Sequence, residues 1–313
     1  MKKFIFLAFT LFLAHFFSAG QLLAEDAAPT LSQKLQAYIE CANDLSERAY
    51  DSRSRYFSWA AKSGPTGKER IIYGTYTISD PSECSTKIEA ANKLEPHNAD
   101  LEAAGTAYAK AVTALAPLLV EADDYYTQEN YKDDKMAKGK ALHPKLVAAW
   151  TDFEIADAKM GGIISDLNDK VQADNLAAIE KDEGRKAHYY KLALMTNAKA
   201  LMRVESGNDP KKIDLPKVVD NLNAYEATVN EALKFKADNA DAKLGSSFLN
   251  DAKSFLVTAK GLMRRIRDKV PYSSGEKMML SAQGGGWMVD GSPPRLIHDY
   301  NGLVDSFNRN SDY

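Results

Sequence analysis

Apolar positions recur at helical spacing along most of the chain. Leu31, Leu35, Tyr38, Ala42, Leu45 and Ala49 step by three and four and predict a helix over 31–61, capped by Thr30 or Ser32. Leu101, Ala104, Tyr108, Val112, Leu115 and Leu119 predict a second over 98–124, kinked at Pro117. A third opens at Pro144, a residue tolerated in a first turn. Its stripe of Leu146, Ala149, Phe153, Ala156, Met160, Ile163 and Leu167 is a bundle seam. Gly161 and Gly162 interrupt it, and a close helix crossing is one reason for small residues there. Tyr189, Leu192, Met195, Ala198 and Met202 carry the pattern on, with a break at Gly184 and a stop over 206–210. Two further helices follow over 215–236 and 242–269, and a last one over 295–307. Residues 71–78 are the one β-prone run; with no partner run nearby they read as an extended loop packed on the bundle. Residues 273–294 read as a Gly-rich loop.

The fold class is therefore all-α: an elongated bundle of long antiparallel helices, with an irregular, disulfide-pinned loop after the first helix. We read 25–313 as a single helical-bundle domain. The alternative is two helical subdomains sharing the long third helix, with a boundary near Gly184.

The N-terminus changes the picture. Lys2 and Lys3 precede 14 residues, Phe4 to Phe17, that are apolar but for Thr10 and His15. The run is shorter than the roughly 20 residues that span a bilayer and suits a signal peptide. Residues 1–24 are read as that signal, cleaved after Gly20 or Ala24, which makes the mature protein periplasmic or secreted. No cysteine stands at the cleavage sites to become a new N-terminus, so no lipid anchor is expected. No later apolar run reaches transmembrane length, so no span is expected after signal removal. Cleavage deletes two lysines and no acid, taking the formal charge from −3 to −5. Such a balance argues against nucleic acid as a partner.

Two cysteines, Cys41 and Cys84, are present. In an oxidising compartment they form one disulfide. It closes a loop of about 40 residues and contributes on the order of 3 to 4 kcal/mol.

Recognisable catalytic chemistry is sparse. The segment 62–69 resembles a phosphate-binding loop only superficially: Glu69 follows Gly67-Lys68, and Lys62 stands where a glycine is required. No Glu-x-x-His, H-E-x-x-H or calcium-loop spacing occurs, so no metal and no cofactor is assigned. The basic residues Arg264, Arg265, Arg267 and Lys269 end a helix and complement its dipole. The most unusual stretch is 121–144, where acids, then lysines, surround Tyr125, Tyr126 and Tyr131 before His143. Aromatic residues in loops offer contact area with a polar tip. Trp59, Tyr73, Tyr125, Tyr131, Asp133, Asp134, His143 and Trp287 are the candidate ligand- or partner-binding residues, and some of them are expected to meet in space.

The segments W-x4-G-P-T-G-K-E (59–69), Y-G-x-Y-x-I (73–78), Y-Y-x4-Y-K-D-D (125–134), G-K-x-L-H-P (139–144) and V-D-G-S-P…Y-N-x-L-V (289–304) resemble the YiiG-like family. These are uncharacterised bacterial envelope proteins, many of them lipoproteins. The resemblance covers nearly the whole mature chain and implies an all-helical fold. It supplies no catalytic residue. The expected role is a non-enzymatic binding or interaction module with an envelope ligand or protein as partner. The alternative is a metal-dependent or hydrolytic enzyme using the 125–143 connector, with Asp133, Asp134 and His143 as ligands or acid–base groups.

Overall fold

The computed structural model describes residues 30–205, 213–282 and 284–309. The signal segment and the whole of the stop over 206–210 lie outside them. Among the described residues the chain forms nine α-helices and no strand. The β-prone run at 71–78 is an extended loop. Contacts within the chain gather into two compact units, one ending at residue 171 and one beginning at 172.

The first unit holds α1 (Leu31–Phe57), α2 (Ser82–Ala91), α3 (Ala99–Thr127) and the first part of α4 (Ala137–Glu183). Thr30 starts α1 with a reciprocal capping box to Gln33. Leu35, Tyr38, Leu45, Ala49 and Tyr56 are buried along it. Asn98 caps α3 by accepting from the Leu101 amide at 2.9 Å. By length and composition α3 is the one helix among the described residues that meets the requirements of a membrane span. A core helix passes the same test, and its Leu101, Val112, Leu115 and Leu119 lie fully buried in the unit's core.

Between α2 and α3 the chain is held by a buried cation. Lys34 is 0% exposed, and its Nζ donates to the carbonyls of Leu94 (2.8 Å) and Pro96 (3.1 Å) and to Glu102. Pairing with Lys34, then bonds from Asn98 and His97, lower the Glu102 carboxyl to about 2. A buried charge is tolerable only with such complete pairing.

Three expectations about this unit need correction. First, α2 is not foreseen from the pattern. It buries only Cys84, Ile88 and Ala91, too short a stripe to stand out, and the Cys41–Cys84 disulfide (Cα–Cα 5.0 Å) joins it to α1. The pinned segment after α1 therefore ends in a helix. Second, α4 begins at Ala137, so Pro144 lies inside it and the connector from α3 shrinks to 128–136. Asp134 supplies the start: its carboxylate accepts from the amides of Ala137 (3.2 Å) and Lys138 (2.9 Å). Capping there outweighs the backbone bond to Lys140 that Pro144 cannot make. Third, Gly161 and Gly162 mark no close crossing, because a Cβ at either would meet nothing within 4 Å.

The second unit holds the rest of α4, then α5 (Ala187–Glu205), α6 (Leu215–Asp238), α7 (Ser246–Arg267), α8 (Ser274–Ser281) and α9 (Pro293–Arg309). Gly184, at φ 76°, ends α4 in the left-handed conformation that suits a helix C-terminus. Asp214 caps α6 through the Lys217 amide. The core is built from Leu194, Leu201, Leu222, Tyr225, Phe248, Phe255, Leu296 and Leu303. The predicted loop over 273–294 contains α8 and a 3-10 turn at Gly286–Met288. Ser273 and Glu276 form a capping box that starts α8.

Candidate functional site

The segment after α1 folds over the α3–α4 connector, and close approach requires glycine at three points. At Gly64 (φ 104°), an added Cβ would lie 3.1 Å from the His143 ring; at Gly67 (φ 83°), 3.1 Å from Met136 Cβ; at Gly74 (φ 69°), 3.1 Å from Tyr126 Cβ. Trp59 Nε1 donates to the Gly74 carbonyl at 2.9 Å and closes the loop on itself.

Beneath this loop lies an aromatic cluster. Trp59 packs edge-on to Tyr56 (5.2 Å) and Tyr126 (5.0 Å). Tyr126 packs on Tyr125 (5.0 Å) and Tyr131 (6.4 Å). Tyr56 stacks on His143 (5.9 Å) and packs on Trp150 (5.4 Å). Tyr56, Tyr125, Tyr126 and Trp150 are buried and form the floor, whereas Trp59, Tyr131 and His143 are half-buried at the rim. Tyr73, 48% exposed, stands on the loop, with the Arg55 guanidinium 5.7 Å from its ring centre.

His143, Tyr56, Tyr125 and Glu69 spend their polar groups on holding the cluster and its loop. His143 Nε2 lies 3.2 Å from the Lys62 carbonyl, and Nδ1 lies 3.0 Å from Tyr56 Oη. A carbonyl only accepts, so Nε2 carries the proton and Nδ1 accepts from the tyrosine. Tyr125 Oη donates to Asp134 at 2.7 Å. Burial raises the Tyr56 hydroxyl to about 12. Burial, and then the bond to Asp134, does the same for Tyr125. Burial raises Tyr126 as well. These phenols remain protonated donors at physiological pH. Glu69 accepts from Thr66 N, Thr66 Oγ1 and Gly67 N at 2.6–2.8 Å. The loop that resembles a phosphate cradle thus encloses its own carboxylate. Burial acts to raise Glu69, but these bonds outweigh it and hold it below its ordinary value.

Three buried polar atoms around the cluster make no hydrogen bond: Thr75 Oγ1, Tyr126 Oη and Trp150 Nε1. Tyr126 Oη faces the Tyr56 hydroxyl and the backbone of Gly139, where an added Cβ would lie 2.9 Å from it.

Of the eight candidates, Trp59, Tyr125, Tyr131 and His143 meet in this cluster; Asp134 is bonded to it, and Tyr73 stands on the loop above. Asp133 is exposed on the connector. Trp287 belongs to the second unit, stacked flat on His298 (4.7 Å, 14°). Sequence reading missed Tyr56, Tyr126 and Trp150 as members, although the aromatic end of α1 and the Tyr125-Tyr126 pair were visible signals. Among the described residues no three His, Cys, Asp or Glu side chains gather as a metal ion requires. Asp134 caps α4, and His143 is bonded to Tyr56 and to the Lys62 carbonyl.

Fold and site define an all-α protein with an aromatic cluster where loop and connector meet. A family model described as Protein of unknown function (DUF3829) matches residues 30–309. The Uncharacterized protein YiiG of Escherichia coli (strain K12) is 37% identical over 287 residues, covering 90% of this chain and 80% of that one. The chain belongs to this YiiG-like family. No solved structure matches it.

Proposed function

We propose that this protein is exported to the periplasm or beyond and binds an envelope ligand or protein partner at the aromatic cluster without transforming it. The observation that carries this reading is the convergence of four sequence motifs on one cluster whose polar groups brace one another. Trp59, Tyr73 and Tyr131 remain available at the rim. Rigid aromatic surface binds at low cost in conformational entropy. Export rests on the basic–apolar leader, and the negative formal charge favours a partner other than nucleic acid.

The test compares wild-type protein with Tyr73→Ala and Trp59→Phe, immobilised and challenged with envelope extract. A component retained by wild type and lost in both variants, at unchanged melting temperature, supports the reading. Identical retention by all three overturns it. N-terminal sequencing of the periplasmic fraction should find Gln21 or Glu25 first.

A further inference from the structure

Eleven large hydrophobic side chains stand exposed among the described residues, and they are not scattered. Five of them, Val270, Met278, Met279, Trp287 and Met288, fall between positions 270 and 288. Met278 is 68% exposed and Met288 51%. They belong to the turn after α7, to α8 and to the 3-10 turn. Arg265 ties these pieces together: its Nη2 donates to Glu276 (2.6 Å) and to the Asp290 carbonyl (3.0 Å), and its guanidinium lies 4.5 Å from the Tyr272 ring centre. A Cβ at Gly285 would lie 3.8 Å from the Met288 methyl and 3.0 Å from the Met279 carbonyl, so the turn folds back along the end of α8. Five apolar side chains exposed on one packed region are more than solubility requires, and such patches mark interaction surfaces.

Charge selects the partner. Residues 264–288 carry Arg264, Arg265, Arg267, Lys269 and Lys277 against Asp268 and Glu276, a local +3 in a chain of formal charge −3. Both acids are taken up internally, Asp268 by Arg267 (2.7 Å) and Glu276 by Arg265 (2.6 Å). Lys269 and Lys277 are exposed, each next in sequence to one of the apolar side chains, and neither has a carboxylate partner among the described residues. Protruding Met and Val, a tryptophan at their edge and unpaired lysines around them match a bilayer surface. The apolar tips suit the headgroup–acyl boundary, the indole suits the interface, and the cations suit lipid phosphates. The helix-dipole account of the basic α7 end covers Arg264 and Arg267 but not Lys277 or the methionines. We propose that this face docks the protein on an anionic lipid bilayer, independently of the aromatic cluster.

The test is vesicle flotation of the mature protein with phosphatidylglycerol–phosphatidylethanolamine vesicles and with pure phosphatidylcholine vesicles. Binding is expected to the anionic vesicles, weakened severalfold by raised salt. The charge reversals Lys269→Glu and Lys277→Glu should each reduce it about fivefold or more. The exposed-site double variant Met278→Ser/Met288→Ser should remove it while leaving the melting temperature unchanged. Trp287 emission should shift to the blue on binding. No flotation, or flotation unchanged in all variants, overturns the proposal. A lipid-free dimer that the methionine variant dissociates, with vesicle binding unaffected, also overturns it and makes the face a protein interface.

Discussion

Asp157 is a carboxylate on the inner side of α4 with no cation in hydrogen-bond contact among the described residues. It accepts from Ser46 Oγ at 2.7 Å and Tyr50 Oη at 3.0 Å, and Ser46 shares a further bond with Tyr108 Oη at 2.7 Å. Burial raises its carboxyl above the ordinary value, and the bonds from Ser46 and Tyr50 only partly oppose this. The folded state therefore holds the Asp157 proton more tightly than the unfolded chain. The stability contributed by the protonated group is present at low pH and is lost as pH rises from about 3.9, the unfolded value, through the raised folded one. Asp157→Asn keeps an acceptor and removes the buried charge. It should melt higher than wild type at pH 7, with the gap closing as pH falls through the carboxylate range. Thermal melts of both proteins between about pH 4 and pH 7 decide this, and a gap independent of pH counts against it. Asp157 is hard to see in sequence, as one acid among 43. The available signal is its position one turn from two seam residues, Phe153 and Met160. By contrast, Trp59, Tyr131 and His143 stand out as aromatic residues in a polar stretch.

At the scale of elements, the long helices are legible because their apolar stripes recur over many turns. The starts of α1, α3 and α6 are legible from Thr30, Asn98 and Asp214. What escapes is short or locally capped. Only three buried residues mark α2, a capping box sets α8, and Asp134 opens α4 two turns before the proline that looks like its start. The glycines separate by the same physics. Gly162 lies inside α4 with no atom within 4 Å of an added Cβ, so Gly162→Ala should stabilise the protein by about 1 kcal/mol through helix propensity alone. Gly74, at φ 69°, has Tyr126 Cβ 3.1 Å from the added methyl, so Gly74→Ala should destabilise by roughly 1–2 kcal/mol. Urea unfolding of the two variants should show opposite displacements of the midpoint. Displacement of both in the same direction would contradict these two environments.

At the scale of the molecule, each unit carries its own buried centre. Tyr38, Tyr108, Leu115, Trp150 and Phe153 form one, and Leu201, Tyr225, Phe248, Phe255 and Leu303 form the other. The boundary falls inside α4, where no residue from 169 to 183 is buried. The apolar pattern does not reveal this, because helical periodicity continues in a connecting helix as readily as in a packed one. Burial belongs to tertiary structure. A chain cut at 171 loses none of the Lys34 anchor, the Cys41–Cys84 bridge, the Asp157 network or the aromatic cluster, since all lie within 30–171. A fragment of residues 30–171 should therefore fold alone, with helical circular dichroism and one cooperative melt. Reducing its disulfide should lower its stability by on the order of 3 to 4 kcal/mol, the loop-closure entropy of a 43-residue separation. If the fragment folds and also retains the partner that Tyr73→Ala and Trp59→Phe lose, binding belongs to this unit. Vesicle flotation should then fail for the same fragment, because Val270, Met278, Trp287 and Met288 are absent from it. A fragment that melts without cooperativity would mean that the first unit depends on residues beyond 171.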